Sequence, residues 1–371
     1  MTEKLRAARV PAPGSIVQAE LEERGWTQRD LAEIMGRPAQ AINEIIRGNK
    51  RITPETAVEL GKAFGTSAEL WMNLETNYRL HLAQKQAPKD NIERKSRLYS
   101  LAPVAELIRR GWIEAGESLD DLEQEVCKFL GLSSLDDDVK LSVAFRHTRD
   151  LGPETSALNA WVKRAEYLAR QQHVAPFDRA RLAASIPSLL AYAERAEDVA
   201  QVPSALSDLG IHMVFVPHLF KSYVDGAAFE LDDGRPVIAL SLRYDRIDSF
   251  WFTLTHELAH IVRGHSGVDV FNQDDQDGDA TEGEANELAS NWLVDREEFE
   301  AFVAETKPYF SKTKVEAFAA HLHRHPGIIV GRLHHMGDLP YSHLRMLCEK
   351  VSPYLQARID TPSPAEMTRS E

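Results

Sequence analysis

The stretch from Phe252 to Val262 reads Phe-Thr-Leu-Thr-His-Glu-Leu-Ala-His-Ile-Val, and its His-Glu-x-x-His pattern constrains the chain more than any other feature. Four residues are about one helical turn, so His256 and His260 project from the same helix face. Two imidazoles stacked in this way can chelate one Zn²⁺ at about 2.0–2.1 Å each. Glu257 stands beside the first ligand, placed to take a proton from a metal-bound water whose pKa is lowered to about 7. Trp251, Phe252, Leu254, Leu258, Ile261 and Val262 are apolar, as a helix buried beneath a cleft requires.

A third ligand is expected from the run Thr281 to Leu293, which has helical spacing. Glu282 and Asn286 are four apart and share a face, so Glu282 can bind zinc while Asn286 orients a ligating imidazole from behind. Glu284 competes with Glu282 for the ligand role, and the spacing does not separate them. Two His, one Glu and an open water position form a thermolysin-like zinc site. Three strand candidates precede the helix: Ile211 to Val216, Gly226 to Phe229 and Pro236 to Leu242, the last two joined by a turn at Asp232-Asp233-Gly234. They predict a short antiparallel sheet whose edge strand can hold an extended peptide. His325 is a further candidate, as a stabiliser of the tetrahedral oxyanion.

The front of the chain follows a different plan. Pro13-Gly14-Ser15 offers a helix start, and Arg24-Gly25 an end. Thr27 caps a helix from Gln28 to Met35, Gly36-Arg37 makes a turn, and a third helix runs from Pro38 to Arg47. Thr53-Pro54-Glu55 opens a fourth helix and Ser67 a fifth. Helix, glycine-containing turn, helix at this spacing is a helix-turn-helix with the third helix placed to read DNA. Its outward residues are Gln40, Asn43 and Arg47, flanked by Arg37 and Lys50-Arg51. Gln and Asn can pair bidentately with adenine, Arg and Lys with guanine or phosphate. Gln28 can hold a phosphate at the start of its helix.

At 371 residues the chain accommodates two or three domains. The expected divisions are a flexible tail over 1–12, a DNA-binding domain over 13–80, a helical connector over 81–205, a metallopeptidase domain over 206–350 and a flexible tail over 351–371. The fold class is therefore mainly α with a small α+β part. The connector carries helical spacing at Val104 to Arg110, Leu119 to Leu130, Leu158 to His173 and Asp178 to Leu190, one alternating strand candidate over 139–145, and a basic cluster of Arg146, His147 and Arg149. A net charge of −14 argues against non-specific coating of nucleic acid but leaves room for a small DNA-binding module, the excess lying largely between Asp269 and Glu300. Cys127 and Cys348 are far apart and outside any C-x-x-C pattern. With no run of 18 apolar residues and a polar Met1 to Arg9, a reducing cytoplasm is the expected home.

Two resemblances extend this reading. Leu21-Glu22-Glu23-Arg24-Gly25-Trp26-Thr27-Gln28, Gly36-Arg37-Pro38-Ala39-Gln40-Ala41-Ile42-Asn43 and Ile52-Thr53-Pro54-Glu55 resemble the HigA family of antitoxins, in the lambda-repressor-like (XRE) class. That resemblance implies a five-helix domain and a dimeric, sequence-specific repressor of double-stranded operator DNA. The segment Trp251 to His260, with Glu282-x-Glu284-Ala285-Asn286-x-Leu288-Ala289 and His325-Pro326-Gly327-Ile328, resembles the ImmA/IrrE metallopeptidase-like family. It implies a zinc endopeptidase acting on a partner repressor or toxin. Leu288 replaces the usual Phe, and Val294-Asp295 replaces the usual Ile or Met followed by Pro; neither touches a ligand. The competing expectation is a non-catalytic antitoxin whose rear domain only binds a toxin or senses a ligand.

Overall fold

Capping residues set the helix boundaries at the front of the chain. Thr27 accepts a hydrogen bond from the Asp30 backbone N–H, and Asp30 accepts one from the Thr27 N–H in return. Thr53 caps the next-but-one helix by accepting from the Thr56 backbone N–H at 3.3 Å, with Pro54 at its first position. Gly25 and Gly65 end helices in the left-handed conformation. The resulting helices are α1 (Pro13–Arg24), α2 (Gln28–Ile34), α3 (Ala39–Ile46), α4 (Pro54–Phe64) and α5 (Ala68–Gln86). Val17, Leu21, Leu31, Ile42, Ile45, Leu60, Phe64 and Trp71 form their common core. Each such side chain contributes about 1.5–3 kcal/mol on burial. Trp71 is fully buried and donates its indole N–H to Thr66 Oγ1 at 2.8 Å. A Cβ at Gly14 would lie 2.3 and 2.4 Å from the carbonyl oxygens of Ile46 and Ile45. Glycine there is what lets α1 seat the C-terminal end of α3.

The computed structural model describes residues 10–86, 91–135, 153–265, 269–271 and 280–360. The chain divides into two compact units, residues 1–91 and 92–371. The fifth helix runs to Gln86, past the expected boundary at 80, and Pro38 is the N-cap of α3 rather than its first residue. The strand candidate over 139–145, the basic cluster with Arg146, and Asp274, Asp275, Asp277 and Asp279 lie outside the described residues.

The second unit opens with α6 (Asn91–Leu101), α7 (Val104–Arg109), α8 (Leu119–Leu130), α9 (Pro153–Ala169), α10 (Arg179–Leu190) and α11 (Val202–Asp208). Then come β1 (His212–Phe215), β2 (Gly226–Glu230), β3 (Pro236–Leu240), α12 (Ile247–Arg263), β4 (Asp269–Phe271), α13 (Ala280–Leu293), α14 (Arg296–Thr306), α15 (Lys312–His321), α16 (Pro326–His335) and α17 (Ser352–Leu355). The sheet order is β1-β3-β2-β4. The expectation of an antiparallel sheet is corrected here. β2 and β3 form an antiparallel hairpin, and β4 pairs antiparallel with β2, but β1 runs parallel to β3. The segment between β1 and β2 carries the chain past the slot that β3 later fills, so consecutive β1 and β2 never pair.

Both faces of the sheet are covered, which explains why its strands read as continuous apolar runs. Met213, Phe215, Ile238 and Leu240 pack with Trp251, Leu254 and Leu258 of α12. On the other face Val214, Ala227, Val237 and Ala239 pack with Leu107, Leu130 and Trp161 of the preceding helices. Trp161 donates to the Val216 carbonyl at 2.7 Å. The region expected as a connector is therefore one layer of the second unit. The expected tail from residue 351 is also corrected as far as Asp360. Val351 and Leu355 are fully buried, Asp245 accepts from the Ser352 N–H (2.8 Å) and Oγ (2.7 Å), and Arg164 grips Asp360 at 2.7 and 2.9 Å. Two apolar anchors four residues apart outweigh a Pro/Ser-rich composition. Among the described residues no helix is long and apolar enough to cross a membrane.

His212 is 2% exposed, and neither ring nitrogen meets a hydrogen-bond partner among the described residues. Burial pushes its pKa down, Arg235 adds to the shift, and Asp233 opposes it. A depressed histidine binds its proton more readily in the unfolded chain, so this contribution to stability is intact above about pH 6.5 and falls as pH drops below it. His212→Leu is expected to move the acid-unfolding midpoint, read by circular dichroism, to lower pH. An unchanged midpoint would remove His212 from the acid response.

Candidate metal centre and nucleic-acid interface

α12 is almost wholly buried from Ile247 to Ile261 and ends at Gly264 in the left-handed conformation (φ 71°). Near its C-terminal end His256 Nε2 and His260 Nε2 stand 3.0 Å apart. α13 brings Glu282 to them, Oε2 at 3.3 Å from His256 Nε2 and Oε1 at 3.5 Å from His260 Nε2. Ligand atoms on a tetrahedral zinc with bonds of about 2.0–2.1 Å are separated by about 3.3–3.4 Å. The three donors therefore fit one face of such an ion, and they are the one His/Cys/Asp/Glu group with metal-ligating geometry among the described residues. Two nitrogens and one carboxylate oxygen are a donor set suited to zinc.

The surroundings of His256 suit a neutral imidazole. Burial pushes the His256 pKa down, with Glu282 pulling the other way. A metal ligand must be unprotonated. Asn286 Oδ1 lies 3.0 Å from His256 Nδ1, which leaves Nε2 for the donor cluster. Glu284, the alternative ligand, faces elsewhere: its Oε1 accepts from Arg263 Nε at 2.9 Å. Glu257 is fully buried, as is His256, and both of its carboxylate oxygens lie below the surface. His325 caps α16, its ring Nδ1 accepting from the Gly327 N–H at 3.1 Å, and its backbone N–H donates to the Ala193 carbonyl; it is not among the clustered metal-ligating groups.

Two residues of this neighbourhood were not anticipated. A Cβ at Gly226, the first residue of β2, would lie 3.0 Å from Glu257 Oε1 and 2.5 Å from Thr253 Cγ2. Glycine there lets the sheet approach the acidic residue. The other is His265, whose Nδ1 lies 3.0 Å from His260 Nδ1. Its signal in the sequence was a histidine directly after the helix-ending Gly264.

In the first unit, Gln40, Arg47 and Lys50 are exposed along and just beyond α3. Asn43 donates to Gln28 Oε1 at 3.0 Å, tying α3 to the N-terminus of α2, and Gln40 donates to Glu44 at 3.3 Å. Arg37 stands at the turn before α3. It forms a two-point ion pair with Glu59 of α4, its Nη2 3.2 Å from Oε1, and is half-buried. Its guanidinium is engaged in holding the turn between α2 and α3 against α4.

Comparison with known proteins agrees with this division. A helix-turn-helix family model matches residues 17–71, and the IrrE N-terminal-like domain matches residues 207–328. The uncharacterized HTH-type transcriptional regulator YddM of Escherichia coli (strain K12) is 29% identical over 90 residues, 24% of this chain and 96% of its own length. Virulence-associated protein I of Dichelobacter nodosus is 36% identical over 81 residues, 22% of this chain and 75% of its own length. A solved addiction module antidote protein of a HigA family from Coxiella burnetii is 31% identical, covering 24% of this chain and 94% of that one, with a TM-score of 0.21. Through its first unit the chain belongs to the XRE-type helix-turn-helix family, and its second unit carries an IrrE N-terminal-like peptidase domain.

Proposed function

We propose that this protein is a sequence-specific, dimeric DNA-binding regulator of the antitoxin type whose second unit is a zinc-dependent endopeptidase. The observation that carries the enzymatic part is the convergence of His256, His260 and Glu282 within 3.0–3.5 Å, with Glu257 adjoining the first ligand on α12. His256, His260 and Glu282 would hold the ion, and Asn286 would keep His256 in the metal-facing orientation. Zinc bound there would supply Lewis acidity to a peptide carbonyl and to water. Glu257 would take the proton from the attacking water at its carboxylate and return it to the leaving amide nitrogen. The DNA-binding part rests on exposed Gln40, Arg47 and Lys50, with Asn43 braced by Gln28. Operator DNA, a cognate toxin or repressor, and a cytoplasmic setting are the partners and place this reading implies.

The complete burial of His256 and Glu257 favours one second reading, a domain that binds a toxin or senses a ligand and cuts nothing. Incubating the zinc-supplemented protein with a complex peptide pool separates the two. New peptide termini that vanish on chelation support the endopeptidase. A pool left intact supports the binding domain.

A further inference from the structure

We propose that His265 is the positioning residue for His260, at the head of a relay that runs through Glu284 to Arg263 and sets how tightly the centre holds its metal. The inference rests on the zinc reading above. His265 is brought into place by the end of α12. Gly264 turns the chain with φ 71°, and the His265 backbone N–H closes the helix on the His260 carbonyl at 3.1 Å. The two Nδ1 atoms then stand 3.0 Å apart with the rings inclined at 69°.

Two imidazole nitrogens can share a hydrogen bond only when one carries the proton and the other does not. His260 Nε2 belongs to the donor cluster, where a lone pair is needed, so the His260 proton sits on Nδ1 and is donated to His265. That assignment puts the His265 proton on Nε2. This nitrogen faces Glu284 Oε2 at 3.8 Å, and Glu284 is held in turn by Arg263 at 2.9 Å. The tautomers are thus determined along the whole relay. α13 serves the centre twice, through Glu282 as ligand and through Glu284 as anchor. The two histidine ligands are braced alike from behind, His256 by the Asn286 amide oxygen and His260 by an imidazole backed by a carboxylate.

The test is zinc affinity by competition with a chromophoric chelator, on wild type, His265→Ala, His265→Gln and Glu284→Gln. Loss of an outer partner of a metal-binding histidine weakens metal binding by about 10–100-fold. His265→Ala is expected to fall in that range. His265→Gln, which keeps an oxygen acceptor for the His260 N–H, is expected to recover part of the loss, and Glu284→Gln to lose less than His265→Ala. The visible absorption of the cobalt-substituted protein is expected to shift in His265→Ala, because His260 would no longer be held in one orientation. Circular dichroism of the metal-free proteins separates this from a folding defect, and should His265→Ala fold poorly, the other two variants still decide. Wild-type affinity in all three would overturn the relay and leave the zinc reading standing. Absence of zinc binding by the wild type would overturn the zinc reading and the relay together.

Discussion

Glu257→Gln is expected to leave the protein folded and metal-loaded while lowering peptide hydrolysis by about 10²- to 10⁴-fold, the range for loss of a positioned general base. The amide matches the carboxylate in shape, so the close approach of Gly226 to this side chain is preserved. It cannot accept a proton, so the step from water to leaving nitrogen loses its carrier. The three ligand atoms belong to other residues, and metal content is expected to stay at the wild-type level. Cleavage rates of a peptide found in the pool experiment, measured beside zinc content, provide the check. An undiminished rate would remove Glu257 from the chemistry.

The second large effect belongs to the first unit. Each bidentate pairing with a base contributes about 1–3 kcal/mol of discrimination. Gln40→Ala with Asn43→Ala is therefore expected to lower affinity for a selected operator by one to several orders of magnitude, and to relax preference at the positions these residues read. Asn43 has a second task, its 3.0 Å bond to Gln28, so its loss also frees the N-terminus of α2. Lys50→Ala provides the contrast. Removing a phosphate-binding charge there weakens binding to all sequences alike and reduces the slope of log affinity against log salt by about one. Fluorescence anisotropy on selected and scrambled duplexes at fixed salt measures the first effect, and a salt titration the second. Wild-type operator affinity in the double variant would contradict the assignment of α3 as the reading helix.

The parts of this structure that were legible in the sequence are those governed by local rules. His256 and His260 share a face because any α-helix places residues four apart together, and Thr27 with Asp30 announces a helix start wherever it occurs. What escaped depends on how one element is set against another. Glu282 and Glu284 differ by two residues on one helix, and only the register of α13 against α12 turns Glu282 to the histidines and Glu284 to Arg263. The ion pair of Arg37 with Glu59 joins residues 22 apart in sequence and follows from the packing of α4, not from a local pattern. The parallel pairing of β1 depended on β3 entering between strands that are consecutive in the chain. Residues 351–360 read as a tail because Asp245 and Arg164, which hold them, come from distant segments. His265 was overlooked for a related reason. A histidine beyond the last helical turn has no face by periodicity, and only the left-handed Gly264 returns it to His260.

The most direct measurement is zinc per chain by elemental analysis, on wild type, Glu282→Ala and Glu284→Ala. The arrangement of His256, His260 and Glu282 predicts one zinc per wild-type chain, lost in Glu282→Ala and retained in Glu284→Ala. No zinc in the supplemented wild type, or equal retention in Glu282→Ala, would contradict the proposed centre.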